Sequence, residues 1–252
     1  MHVTTNVFWI PKDGNSAEEY EDAFWPEAQD CEKAIFLAAI ADGATESSFS
    51  RFWAKLLVRS FCAGIFTGRE IWEALPRLQR HWLKSVSQKS LPWYAEEKLK
   101  AGAFSTVVGL TLYDPTGAEF VPARWEAIAV GDSCLFQVRE GELIKAWPLD
   151  KSDQFNSRPF LLSSISEDNA ELDGQTEKVS DTWQPQDTFY LMTDALACWF
   201  LRSIEEGRKL TDIIPDFENS SLTISVPDWI AERRTSGVLR NDDVTLIRML
   251  IR

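Results

Sequence analysis

The sequence predicts a mixed α+β domain, with strands gathered in blocks and helices between the blocks. Three observations carry this. Apolar runs of strand length recur at residues 34–42, 105–113, 125–130, 188–192 and 244–251. Between the first two runs, Phe49, Phe52, Trp53, Leu56, Leu57 and Phe61 fall at i, i+3, i+4, i+7, i+8 and i+12, one face of a helix. Turn residues then punctuate the strands, as at Glu140-Gly141. No repeat, heptad run or low-complexity tract divides the chain, so residues 1–252 read as one domain.

Taken in order, residues 3–10 alternate loosely, with Val7-Phe8-Trp9-Ile10 as the body of a first strand. Pro11-Lys12-Asp13-Gly14-Asn15-Ser16 is a turn or small loop. In Glu18-Glu19-Tyr20-Glu21-Asp22-Ala23-Phe24-Trp25, acids lead into a short apolar stretch, the pattern of a solvated turn before an edge strand. Residues 34–42 are unbroken apolar residues ending in Asp42-Gly43, a strand buried on both faces, although the pattern also admits a buried helix segment. Helices are expected over 47–61, 70–86 and 93–99. His81 falls in the second as a surface residue, and His2 in a loose terminus. From Ala103 the pattern turns to strands: 105–113, a turn at Asp114-Pro115-Thr116-Gly117, 125–130, then a hairpin of 134–139 and 143–147. Residues 148–187 are polar and rich in turn residues, a long flap or irregular segment. A strand at 188–192, helices at 195–204 and 226–234, and a strand at 244–251 complete the chain.

With 44% hydrophobic and 26% charged residues, the composition is that of a soluble globular protein. A chain of this size buries enough surface to need neither disulfides nor structural zinc. The formal net charge of −13 repels phosphodiester backbones and anionic lipid, so nucleic-acid and membrane binding are disfavoured. Cys31, Cys62, Cys134 and Cys198 are scattered among apolar neighbours, as buried thiols of a reducing compartment would be. The N-terminus lacks the basic and apolar regions of an export signal and no run approaches a membrane span, so the expectation is cytoplasmic.

The candidate chemistry lies in acids at strand ends. Asp42 and Asp194 follow apolar runs, Asp132 follows Val130-Gly131, Asp242 precedes the last strand, and Glu21-Asp22 flank an early one. Such acids are often only turn residues. Gathered at one rim, they would repel each other unless a cation lay between them. No His or Cys set has zinc spacing, so an all-oxygen Mg²⁺ or Mn²⁺ site is the consistent metal reading.

In their order along the chain, Glu21-Asp22-Ala23, Ala41-Asp42-Gly43, Phe104-Ser105-Thr106, Val130-Gly131-Asp132-Ser133, Thr193-Asp194 and Asp242-Asp243-Val244-Thr245 resemble the PPM, or type 2C, metal-dependent Ser/Thr protein phosphatases, here a divergent member of bacterial type. The resemblance implies a four-layer α-β-β-α sandwich, two mainly antiparallel sheets flanked by helices, with a binuclear Mn²⁺ or Mg²⁺ centre at one end. By position Asp42 would bridge two ions and the Gly43 carbonyl would bind one of them. Asp194 and Asp242 would complete the first ion's shell, Glu21 and Asp22 would hold the second directly or through water, and Asp132 with Asp194 would hold a third, weaker one. Asp42, Asp194 and Asp242 would act in catalysis through these ions, by in-line attack of an activated water on phosphoserine or phosphothreonine. The implied partner is a phosphoprotein whose phosphorylation a Ser/Thr kinase supplies, met by a monomer in signalling.

The chain departs from that family in three places. Ala17 stands where many members carry a phosphate-gripping Arg, Ala44 where many carry a His that can protonate the leaving alkoxide, and Ala195 where a Gly follows the Thr-Asp pair. Lys12 or Arg51 is the candidate replacement cation, Lys12 being the one assigned to phosphate. These losses motivate the alternative of a pseudophosphatase acting as a regulatory or interaction module.

Overall fold

A computed structural model of the chain describes residues 1–44, 49–67, 71–88, 99–115, 123–155, 158–170, 176–213 and 226–252. The elements are β1 (His2–Ile10), β2 (Ala23–Trp25), β3 (Gln29–Glu32), β4 (Ile35–Ala41), α1 (Ser50–Cys62), α2 (Ile71–Ser87), β5 (Phe104–Ser105), β6 (Val107–Tyr113), β7 (Arg124–Val130), β8 (Cys134–Arg139) and β9 (Glu142–Trp147), followed by β10 (Leu162–Ser163), β11 (Glu177–Thr182), β12 (Thr188–Met192), α3 (Asp194–Glu205), α4 (Leu210–Ile213), α5 (Val226–Thr235) and β13 (Val244–Ile251). One sheet runs β3-β1-β13-β12-β8-β9 and the other β11-β7-β6-β4-β2, and every pairing in both is antiparallel.

The central strands read as unbroken apolar runs because each of their faces is covered. In β4, Phe36, Ala38 and Ile40 point into the layer between the sheets, whereas Ala39 and Ala41 pack under α1 and α2. In β13, Ile247, Met249 and Ile251 fill the inter-sheet layer while Val244 and Leu246 meet α3. The two-residue period of a strand thus distributes one run between two cores. Gly109 of β6 faces α1, where a Cβ would lie 2.5 Å from the Phe61 ring; only a glycine lets that helix approach so closely. The result is the α-β-β-α sandwich, with α1 and α2 on one outer face and α3, α4 and α5 on the other.

Several local expectations are corrected. His2 is not in a loose terminus: it opens β1, opposite Glu32, with Nε2 2.5 Å from Asp30 Oδ1. Strand β3 and, inside the segment read as flap, β11 went unanticipated. Both are polar strands at sheet edges, where exposure removes the apolar alternation that marks a strand. Of the cysteines, all free, only Cys134 is fully buried. His81 lies exposed on α2 as expected, its ring stacked near Phe52. The helix expected over 93–99 and the turn at 114–117 fall largely outside the described residues.

Candidate metal centre

Strand register brings the acids to one end of the sandwich. Ala41 at the end of β4 pairs with Ala23 at the start of β2, which places Asp42 beside Asp22. Val130 at the end of β7 pairs with Val107, and Ile40 with Val108, so Asp132 emerges on the same rim. In the other sheet Met192 pairs with both Leu246 and Cys134, which delivers Asp194, Asp242 and the 131–133 turn to that end too. The two sheets are tied across the rim by hydroxyls. Thr245 Oγ1 donates to Asp22 Oδ2 at 2.5 Å, Tyr20 hydrogen-bonds Thr245, and Thr106 Oγ1 lies 2.7 Å from Ser133 Oγ while accepting from the Asp42 amide.

These carboxylates stand in one another's field. Burial pushes the Asp22 carboxyl well above the usual range, and Asp243 and Asp194 add repulsion that the Thr245 hydroxyl opposes. Asp42 is raised well above it too, by burial and then by Asp22, Asp194, Asp242 and Asp132. Asp132 is pushed up to about 7 by burial and by Asp194, with Arg240 pulling the other way. Asp194, at the N-terminus of α3, is raised by burial despite the neighbouring Arg240. Among the described residues, Asp22 Oδ1 and Asp132 Oδ1 are buried with no hydrogen-bond partner, an expensive condition for an acceptor.

Glu21 sits differently. Its Oε1 accepts from Ser50 Oγ at 2.8 Å and its Oε2 lies 3.7 Å from Lys12 Nζ, so α1 and the 11–16 loop hold it at the edge of the cluster. Lys12, the expected phosphate cation, therefore reaches the rim through Glu21. Gly43 is required by close approach: a Cβ there would lie 2.7 Å from the Glu21 carbonyl oxygen and 3.0 Å from the backbone of Ser50. Arg51 lies against the main chain at the alanine noted above, Nη1 donating to the carbonyls of Ala17 and Glu18 at 3.2 and 2.9 Å.

Four residues essential to this rim escaped sequence reasoning. Asp243 accepts from the backbone amides of Lys12 and Glu21 at 2.8 and 2.6 Å, latching that loop to the start of β13. Arg234, buried on α5, donates to the carbonyls of Pro11 and Asp242 and to Asp13. Thr193 Oγ1 accepts from the Thr245 amide at 2.9 Å. Arg240 donates through Nη2 to both Asp194 Oδ2 and Asp242 Oδ2. Asp243 and Thr193 lay within motifs already singled out; nothing in the sequence marked either arginine.

The model for the family described as protein phosphatase 2C matches residues 16–232, most of the chain. The chain belongs to that family. No curated protein matches it. Among solved structures it is similar to the Mycobacterium tuberculosis serine/threonine phosphatase PstP/Ppp (15% identity, TM-score 0.56, 100% of this chain and 99% of that one). It is also similar to PppA of Pseudomonas aeruginosa (17%, TM-score 0.55, 100% and 99%) and to the S. agalactiae serine/threonine phosphatase (12%, TM-score 0.53, 99% and 100%). A further PstP catalytic-domain structure, 15% identical with a TM-score of 0.54 and covering 99% of each chain, is described in complex with two manganese ions. At these identities the likeness is one of fold.

For this phosphatase 2C chain, the donor set suits a hard divalent cation in kind: all ligand atoms would be oxygens, two of them buried and unpartnered. Among the described residues no three acids are yet arranged to hold an ion, and Asp194 and Asp242 are drawn onto the Arg240 guanidinium.

Proposed function

We propose that this chain is a metal-dependent phosphoprotein phosphatase acting on phosphoserine and phosphothreonine. The observation that carries the reading is the convergence, on one rim, of Asp22, Asp42, Asp132, Asp194 and Asp242, with two buried carboxylate oxygens unpartnered, in a chain of the phosphatase 2C family. Asp42, Asp194 and Asp242 would hold one Mn²⁺ or Mg²⁺, with the Gly43 carbonyl a further oxygen ligand at the centre. Asp22, assisted by Glu21, would hold a second, and Asp132 with Asp194 a weaker third. Bound there, such ions supply Lewis acidity that readies water and neutralises phosphoryl charge.

The chain's own residues do the rest. Thr245, Thr193 and Tyr20 fix the Asp22 side of the rim, and Thr106 and Ser133 fix the turn that carries Asp132. Lys12 and Arg51 are the cations beside Glu21 and Ala17 that can attract the phosphate dianion. Neutral Ala44 offers no proton to the leaving oxygen, so aryl phosphates, whose leaving group needs none, should turn over faster than alkyl ones. Phe155, from the 148–187 segment, lines a cavity of about 420 Å³ with Asp194, Cys198 and Arg202, which supports the stretch around Phe155, ahead of β10, as a flap beside the site.

A second reading is favoured by one specific feature. Arg240 already neutralises Asp194 and Asp242, as it would in a pseudophosphatase that had given up its ions for an internal cation. Hydrolysis of an aryl phosphate and of a phosphothreonine peptide, with millimolar Mn²⁺ and with EDTA, separates the two. Turnover that EDTA abolishes and Asp42→Asn lowers at least 100-fold is the expected result. No turnover of either substrate with Mn²⁺ would leave the pseudophosphatase.

A further inference from the structure

Helix α1 carries Arg51, Lys55 and Arg59 at i, i+4 and i+8, a ladder of three cations on one face. The ladder stands in a chain whose 39 acids outnumber its 26 lysines and arginines. Like charges four residues apart oppose each other, and a cation in the first turn opposes the helix dipole, which α1 offsets with no acid there. Among the described residues neither Lys55 nor Arg59 has an ion-pair partner. Desolvation and the flanking arginines hold the Lys55 ammonium below its usual pKa, as crowding of uncompensated charge requires.

The ladder forms one wall of a cavity of about 260 Å³. Trp9 and Trp25 stand at its mouth, 40% and 45% exposed, and Glu27 is an acid on the same lining, unpaired with the ladder. Asp22, one of the rim acids and itself buried, is on the same lining. A polypeptide with its phosphorylated residue at the rim could therefore run its neighbouring residues across α1.

We propose that this face is the docking groove for an acidic segment flanking the phosphorylated residue of the substrate. The ladder meets its carboxylates and the two tryptophans cover its backbone. This rests on the phosphatase reading and adds the substrate class to it: phosphoproteins with Asp or Glu clustered beside the phosphosite. Charge complementarity of this kind chooses partners and speeds encounter more than it adds affinity.

Steady-state kinetics on two phosphothreonine peptides, identical except for four Glu or four Gln on one side of the phosphoresidue, test it. The Glu peptide should have the lower KM, and the difference should shrink at high salt. The double variant Lys55→Gln/Arg59→Gln should raise KM for the Glu peptide roughly five- to tenfold, the scale of two lost exposed ion pairs. It should leave kcat, and kcat/KM for an aryl phosphate, as they were. The single change Arg59→Gln, at an exposed position, gives a smaller shift in the same direction and guards against a folding defect. Titrating the unphosphorylated Glu peptide against tryptophan fluorescence keeps the inference apart from the catalytic reading. Binding lost in the double variant supports the groove even if no turnover is found. Equal KM values for the two peptides, or a Glu peptide bound alike by wild type and double variant, would overturn it.

Discussion

Two buried carboxylate sites in this sandwich show opposite solutions to one problem. Asp187, just before β12, is fully buried and fully answered: Arg139 donates to both its oxygens at 2.8 Å, Gln137 donates at 2.7 Å, and the Gln184 amide at 2.9 Å. Its carboxyl is held below the usual range, the arginine and amide bonds outweighing burial. At the acid rim the same side chain is buried with acids for neighbours, and Asp22 and Asp132 each keep an unpartnered oxygen. A satisfied carboxylate belongs to the architecture; an unsatisfied one marks a candidate ligand site.

The contrast can be broken from either side. The largest effect is expected at Asp187→Ala, which takes the acceptor from one Gln137 N–H and from the Gln184 amide and frees Arg139. Because Arg139 is partly solvated, we expect a loss of about 2–4 kcal/mol in urea unfolding, below the full cost of a wholly buried pair. A loss under about 1 kcal/mol would mean the satisfied site is dispensable.

Gly43→Ala should come next. Its Cβ would press on the Glu21 carbonyl and the start of α1, costing about 1–3 kcal/mol and displacing the Asp42 turn. Manganese affinity measured by calorimetry should fall with it. Unchanged affinity would show that the close approach at Gly43 does not set the rim.

The smallest and most discriminating effect concerns pH. Asp132 is harder to ionise when folded, at about 7, than at its ordinary 3.8. The unfolded chain therefore gives up that proton first, and the metal-free fold loses stability as pH climbs from about 4 to about 7. Asp187 works with the opposite sign: its contribution is present above its ordinary pKa and disappears as pH falls through the lowered folded value. In EDTA, Asp132→Asn should flatten the fall between pH 4 and 7 and be more stable than the parent at pH 8 by roughly 1–2 kcal/mol, the coupled acids sharing the rest. Melting curves across pH that are the same in parent and variant would contradict the burial of unmet charge at the rim.

Much of this was legible in the chain. The last strand, 244–251, is found residue for residue, because a largely apolar run is what a strand covered on both faces requires, and the helix over 226–234 is found within one residue. Edge strands β3 and β11 were illegible, since a strand with one solvated face and one free edge needs no apolar residues. The acids that converge were named in advance from their place at strand ends. Their counter-ion Arg240 was not, nor was Arg234, which ties down the neighbouring main chain, for nothing near either in the sequence distinguishes it from any surface arginine.

The sequence by itself determined the periods of strand and helix and the glycine at position 43, features written within a few residues of one another, and the order in which the acids follow along the chain. Only the tertiary structure decided that Asp243 would hold Lys12 from 231 positions away, that Arg240 would lie on Asp194 and Asp242, and that three α1 cations would face a cavity also lined by Asp22. The physical reason is range. Backbone propensity and periodicity act over a turn or a strand, whereas charges choose partners only after register across two sheets has brought distant segments within a few ångströms.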